Sequence, residues 1–209
     1  AVELADGSFF ITSTYNSSLL KLTENGVLDT SFFADQVNPG IYVTEGRRQY
    51  APKVTQLTDG SFLVGYSLRE RYGNITTQII KFDALGIIDT DFAAQGFLSF
   101  DVSDADGDSF LQGIENIGVI IELADGSIRI LMDSSADIYQ ITFNDDGSNF
   151  SQSLIYHSGF YSRITDIAKL ATGQYALLLN EQLNDLYQLE IIIVNDDGSL
   201  DESFGDSGS

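Results

Sequence analysis

Short apolar runs alternate along this chain with clusters of Gly, Asp, Asn and Ser. The clearest stretch reads as four strands: Gly96–Val102, Ile117–Leu123, Ser127–Asp133 and Ile138–Asn144, each rich in Ile, Leu, Phe or Tyr and bounded by turn residues. No segment holds a helical period for the length a helix needs, which argues against a parallel βα fold.

The pattern repeats. Val2–Phe9 (VELADGSF), Val54–Phe62 (VTQLTDGSF), Ile121–Ile128 (IELADGSI) and Ile167–Tyr175 (IAKLATGQY) share one form, two apolar runs joined at a turn ending in Gly. Asp-Gly between apolar runs is a hairpin signal, because Gly takes the positive φ the turn needs at no steric cost. A second motif follows each hairpin: Leu20–Phe32 (LKLTENGVLDTSF), Ile80–Phe92 (IKFDALGIIDTDF) and Ile193–Phe204 (IVNDDGSLDESF). Ile141–Phe150 (ITFNDDGSNF) keeps that turn and loses the ending. Within the motif, Asp29, Asp89 and Asp201 are placed to cap local backbone N–H groups, and Phe32, Phe92 and Phe204 to plug the space between neighbouring units.

These motifs resemble the delta-60 repeat family, whose units are described as β-propeller blades. The resemblance covers nearly the whole chain. It implies a secreted or surface-exposed bacterial protein, and it says little about activity.

Four antiparallel strands per unit make a propeller blade, and radial repetition shields sheet edges. The expected fold is all-β, one propeller domain over residues 1–209, with repeats near 1–38, 39–95, 96–152 and 153–209. A β-sandwich is the competing architecture. In this allotment the first blade lacks its N-terminal strand. The ring of four then needs a strand from flanking sequence or from another chain; otherwise the four blades are an arc of a larger ring. The chain opens at Ala1 in mid-pattern, as an excised or processed segment would.

Charge and composition narrow the partners. Ten Lys and Arg stand against 31 Asp and Glu, a net charge of −21 over 209 residues. Nucleic acid is excluded, since its affinity comes from cations that neutralise phosphates. Anionic membrane surfaces are disfavoured for the same reason, and no apolar run is long enough to insert. With no Cys and one His, thiol chemistry and multi-histidine metal sites are excluded too.

Turns of one kind share one face of such a blade, and loops of unequal length share the other: Tyr42–Lys53, Arg69–Asn74, Ser103–Asn116, Tyr156–Arg163 and Asn180–Asp185. Binding is expected on that second face. Arg47, Arg48, Arg69 and Arg71, with Tyr50 and Tyr72, form a basic and aromatic cluster suited to carboxylates, sulfates or sugars; pairing with neighbouring acids is the simpler account. Asp104, Asp106 and Asp108 alternate around a Gly as short calcium loops do, without the EF-hand spacing; a solvated acidic loop is the alternative. Ca2+ is the one cofactor suggested. His157 has no nucleophile signature beside it and reads as a strand-end residue.

The function expected from these features is a non-catalytic module, not an enzyme: an extracellular adhesin whose variable loops meet a glycan or protein ligand. A propeller hydrolase acting on carbohydrate is one alternative, with paired carboxylates in the channel. A structural, self-associating spacer is the other.

Overall fold

The computed structural model describes residues 1–13, 18–34, 36–43, 52–69, 75–101, 116–134, 136–158, 161–183 and 186–205, with the backbone alone for 69 and 183. Among them there is no helix. The described residues hold fifteen strands in four antiparallel sheets.

The first sheet is β1 (Val2–Glu3), β2 (Phe9–Thr12), β3 (Ser18–Leu22) and β4 (Ile41–Val43), paired in chain order. The second is β5 (Lys53–Gln56), β6 (Phe62–Arg69), β7 (Ile75–Phe82) and β8 (Phe97–Phe100). The third is β9 (Asn116–Glu122), β10 (Ile128–Ser134), β11 (Asp137–Phe143) and β12 (Ser151–His157). The fourth has three strands, β13 (Tyr161–Lys169), β14 (Tyr175–Leu183) and β15 (Leu186–Val194). β9 lies against both β5 and β13, so the first strand of each sheet is the inner one.

The strand positions follow the sequence pattern, but their allotment to blades differs from the expected one. Phe97–Phe100 pairs with β7 (Ile80↔Phe97) and closes the second sheet on its outside. It does not open the third. The first sheet is therefore complete, and the three-stranded one is the last. The cause is local. The Ile-Asp-Thr-Asp-Phe segment (88–92) ends in a reversal at Gly96 (φ +94°), whose N–H donates to the Phe92 carbonyl at 2.7 Å. Gly40 (φ +85°) and the Phe32 carbonyl repeat this at 2.8 Å. The chain is returned at once onto the strand it has just left, and the crossing to the next blade comes later.

Expected loops at Tyr156–Arg163 and Asn180–Asp185 are largely strand: β12 runs to His157, β13 starts at Tyr161 and β14 runs to Leu183. The separation of faces holds. In a meander, alternate connections fall at opposite ends, so the Asp-Gly turns and the Leu-Asp segments share one end, the turn end. The remaining connections leave from the other, the loop end.

Three apolar seams join neighbouring blades. Between blades one and two, Phe10, Phe32, Phe33, Tyr42, Phe62 and Phe82 interlock, with ring centroids from 4.3 to 5.5 Å in edge-on or tilted pairs. Between two and three the seam is mainly aliphatic, with Leu63, Ile79, Ile128, Ile130 and Met132 closed over by Phe92. The third seam joins Leu131 and Ile138 to Leu177, Leu179, Ile192 and Val194. Phe32 and Phe92 thus plug seams as expected, 2% and 1% exposed; Phe204 does not, at 39%.

Candidate functional site

The turn end is built for rigidity. Asp6 Oδ1 accepts from Ser8 N at 2.9 Å and Ser8 Oγ at 2.5 Å, and Asp125 does the same with Ser127 at 3.0 and 2.6 Å. Asp29, Asp89 and Asp201 cap the N–H two residues on, at 3.0–3.1 Å, as expected. The Ser8 hydroxyl bond, with the backbone bond beside it, holds Asp6 below the usual carboxylate range. Lys81 reaches across to the third blade, 2.6 Å from Asp145 Oδ1, and Arg129 Nη1 donates to the Asp196 carbonyl of the fourth at 2.7 Å. The turn aspartates and Lys81 are satisfied within the scaffold, while Arg129 leaves its buried Nε without a hydrogen-bond partner.

The loop end of blades three and four is different. Half of the twelve buried polar residues among those described gather there: Asn116, Asp133, Ser134, Asp137, Ser162 and Glu181. Asp133, last but one in β10, is turned into the third seam, where its Oδ1 accepts from Asn116 Nδ2 and Ile164 N, both at 3.0 Å. Burial pushes its pKa up to about 7, against those hydrogen bonds and the Arg163 and Lys53 charges. On the other face of the same sheet, Asp137 takes Tyr139 Oη on one oxygen at 2.9 Å and lies 2.5 Å from His157 Nδ1 on the other. Glu181 is raised by desolvation, with Glu190 close by adding to the shift; Gln188 Nε2 donates to Glu181 at 2.8 Å and Tyr156 Oη to Glu190 at 2.6 Å.

Four buried oxygens here have no hydrogen-bond partner: Ser162 Oγ, Asn180 Oδ1, Glu181 Oε1 and Glu190 Oε2. A pocket of about 210 Å³ opens on the inner strands, lined by Lys53, Gly118, Val119, Thr165 and Asp166 among others. It is large enough for one sugar ring. Ile164 links pocket and seam, because its N–H holds Asp133 while its neighbours Thr165 and Asp166 face the opening.

Of the residues singled out in the sequence, Arg47, Arg48, Tyr50, Arg71, Tyr72, Asp104, Asp106 and Asp108 lie outside the described residues. Arg69 is the last residue of β6, opposite Ile75. His157 does end a strand; its Asp137 partner, 20 positions away, carries no local signal. Among the described residues no three His, Asp or Glu are grouped to hold a metal ion. Asp133, Glu181 and Glu190 were missed because each sits inside an apolar strand, where only pairing brings them together. The one readable signal is the charge itself, set in runs such as Ile130–Ser134 and Tyr187–Ile191 that are otherwise apolar or uncharged.

No protein-family model matches the chain, and no curated protein does. Among solved structures, it is similar to an endo-arabinase from Bacteroides thetaiotaomicron, with a TM-score of 0.56 and 12% identity over 96% of this chain and 79% of that one. The fold is a four-bladed β-propeller. Two further matches are a GH43_1 enzyme from Xanthomonas citri (TM-score 0.36, 9% identity, 93% and 87% covered) and a GH43 β-xylosidase/α-arabinofuranosidase from a compost metagenome (0.32, 8%, 93% and 93%). The expectation that the chain is no enzyme is corrected here: the architecture it takes is one that carries an endo-arabinase.

Proposed function

We propose that this chain acts on carbohydrate, cleaving glycosidic bonds with carboxyl groups set around the inner-strand pocket. One observation carries the reading. A buried carboxyl, Asp133, is poised near neutral pH directly behind a polar pocket that opens onto a second carboxyl, Asp166. Glycoside hydrolysis asks for one carboxylic acid still protonated at working pH and one ionised carboxylate.

Asp133 fits the first role as the carboxyl that stays protonated, held behind the Ile164 wall of the pocket. Its two N–H partners fix the carboxyl and leave the second oxygen to carry the proton. Asp166, exposed on β13, fits the second, as base toward water or as nucleophile. Lys53 supplies a positive charge at the opening, and Thr165 a hydroxyl for the sugar. The propeller likeness supports the class of substrate and leaves the sugar open.

The test is release of reducing ends from a panel of polysaccharides, arabinan among them. Asp166→Asn and Asp133→Asn should each lower turnover at least about a hundredfold, and Asp133→Asn should also remove the upper pH limit near 7. A wild-type chain inert across the panel, or an Asp166→Asn variant as active as wild type, would overturn the reading.

A further inference from the structure

Every described seam uses the same positions. Phe62, Val64, Ile80 and Phe82 of the second blade face the first, and their register equivalents Ile128, Ile130, Ile141 and Phe143 of the third face the second. In the fourth blade, Tyr175, Leu177, Ile192 and Val194 face the third. The first blade holds Phe9, Ile11, Leu20 and Leu22 at these positions. None of them is buried, and Ile11 is 38% exposed. The far side of the fourth blade is open as well, with Tyr187 and Leu189 at 69% and 70% exposure.

The turn end carries the same rule as knobs and holes. A Cβ on Gly86 would lie 2.8 Å from Phe32 of the preceding blade, and one on Gly147 2.6 Å from Ala93 of the blade before it. On Gly198 it would meet Gln140. The equivalent glycine of the first blade, Gly26, has nothing within 4 Å. The equivalent of the Phe32 knob on the fourth blade is Phe204, the exposed one. A third series agrees. Gln56 accepts from Ala5 N at 3.2 Å and Glu122 from Thr58 N at 2.7 Å, each across a seam. Glu3 occupies that position in the first blade and is exposed.

We propose that these two open faces are halves of one interface between copies of this chain. The fourth blade of one copy docks on the first blade of the next, with Phe204 over Gly26. Each face is the complement of the other by the rule that builds the three internal seams. Within one molecule their side chains stand in solvent. The contact joins unlike surfaces, so copies assemble head to tail rather than as a symmetric pair.

Complementation tests this directly. Phe204→Glu with Leu189→Glu disables the fourth-blade face, and Ile11→Glu disables the first-blade face. All three positions are exposed, and matched melting curves confirm that both variants fold. By sedimentation at physiological ionic strength, wild-type mass should rise with concentration. Each variant should need at least about thirty-fold more protein to associate. An equimolar mixture of the two should form a one-to-one dimer, because each retains one intact face. A wild-type chain that stays monomeric overturns the proposal, leaving the faces to some other sheet. So does a mixture that stays monomeric, or association sensitive to only one face.

Discussion

The seam between the first two blades and the seam between the last two are laid on the same register and filled with opposite chemistry. The first is a stack of rings, Phe10, Phe32, Phe33, Phe62 and Phe82, each at most 3% exposed and without a buried carboxyl among them; Lys21 Nζ lies over the Phe32 ring at 4.8 Å. The last is apolar toward the turns and, toward the loops, holds Asp133, Glu181 and Glu190. One repeat therefore separates two tasks. Where a seam only holds blades together, burial of rings is the strongest available term, at about 25 cal/mol per Å² of apolar surface. Where buried carboxyls replace them, the chain accepts a desolvation cost that pure packing would never select.

That contrast can be broken at its strongest point first. Phe62→Ala should destabilise by about 3–5 kcal/mol, because a large cavity would open where Phe10 and Phe32 now meet it edge-on. The loss, measured by chemical unfolding, should be the same at pH 5 and pH 8. A loss below about 1 kcal/mol would deny that the ring stack dominates.

Asp133→Asn is the counterpart in the last seam. The folded carboxyl titrates at about 7, above its unfolded value, so the native state holds the extra proton between the two. Stability should fall as pH rises through that window, by on the order of a few kcal/mol, and the variant should flatten the fall. Unfolding free energies measured from pH 4 to 8 decide it, and an unchanged slope in the variant would remove Asp133 as the source. The smallest effect tests what the blades share. Ser8→Ala and Ser127→Ala each delete a hydroxyl bonded to the turn Asp, in the first and third blades, and each should cost about 1 kcal/mol. Unequal costs would mean that the turns are not interchangeable.

The architecture was legible in the sequence because its signals are local. Asp-Gly turns, apolar runs and the Leu-Asp-Thr-Ser-Phe segment each act within a few residues, so strand positions could be read to within about two residues. Blade membership could not. Whether Phe97–Phe100 closes one sheet or opens the next depends on a reversal at Gly96 that the repeat pattern leaves open. The candidate site was hidden for a related reason. Asn116, Asp133 and Ile164 are spread over 49 positions and meet only when β13 docks beside β9. Local reading favoured the Arg47–Tyr72 cluster and the Asp104–Asp108 loop, where residues of one type stand close in sequence.

Among the described residues β15 runs for nine residues with no strand paired on its outer side, and Leu186, Tyr187, Leu189 and Ile191 along it are all exposed. Native edges are blunted by lysine, proline or a bulge, and this one has none of these. The charge of −21 opposes edge-to-edge pairing along it, a repulsion that reaches about 10 Å at 0.1 M salt and about 3 Å at 1 M. At about 1 M salt, or in acid that protonates the carboxylates, that repulsion fades and strand-to-strand pairing along β15 should rise.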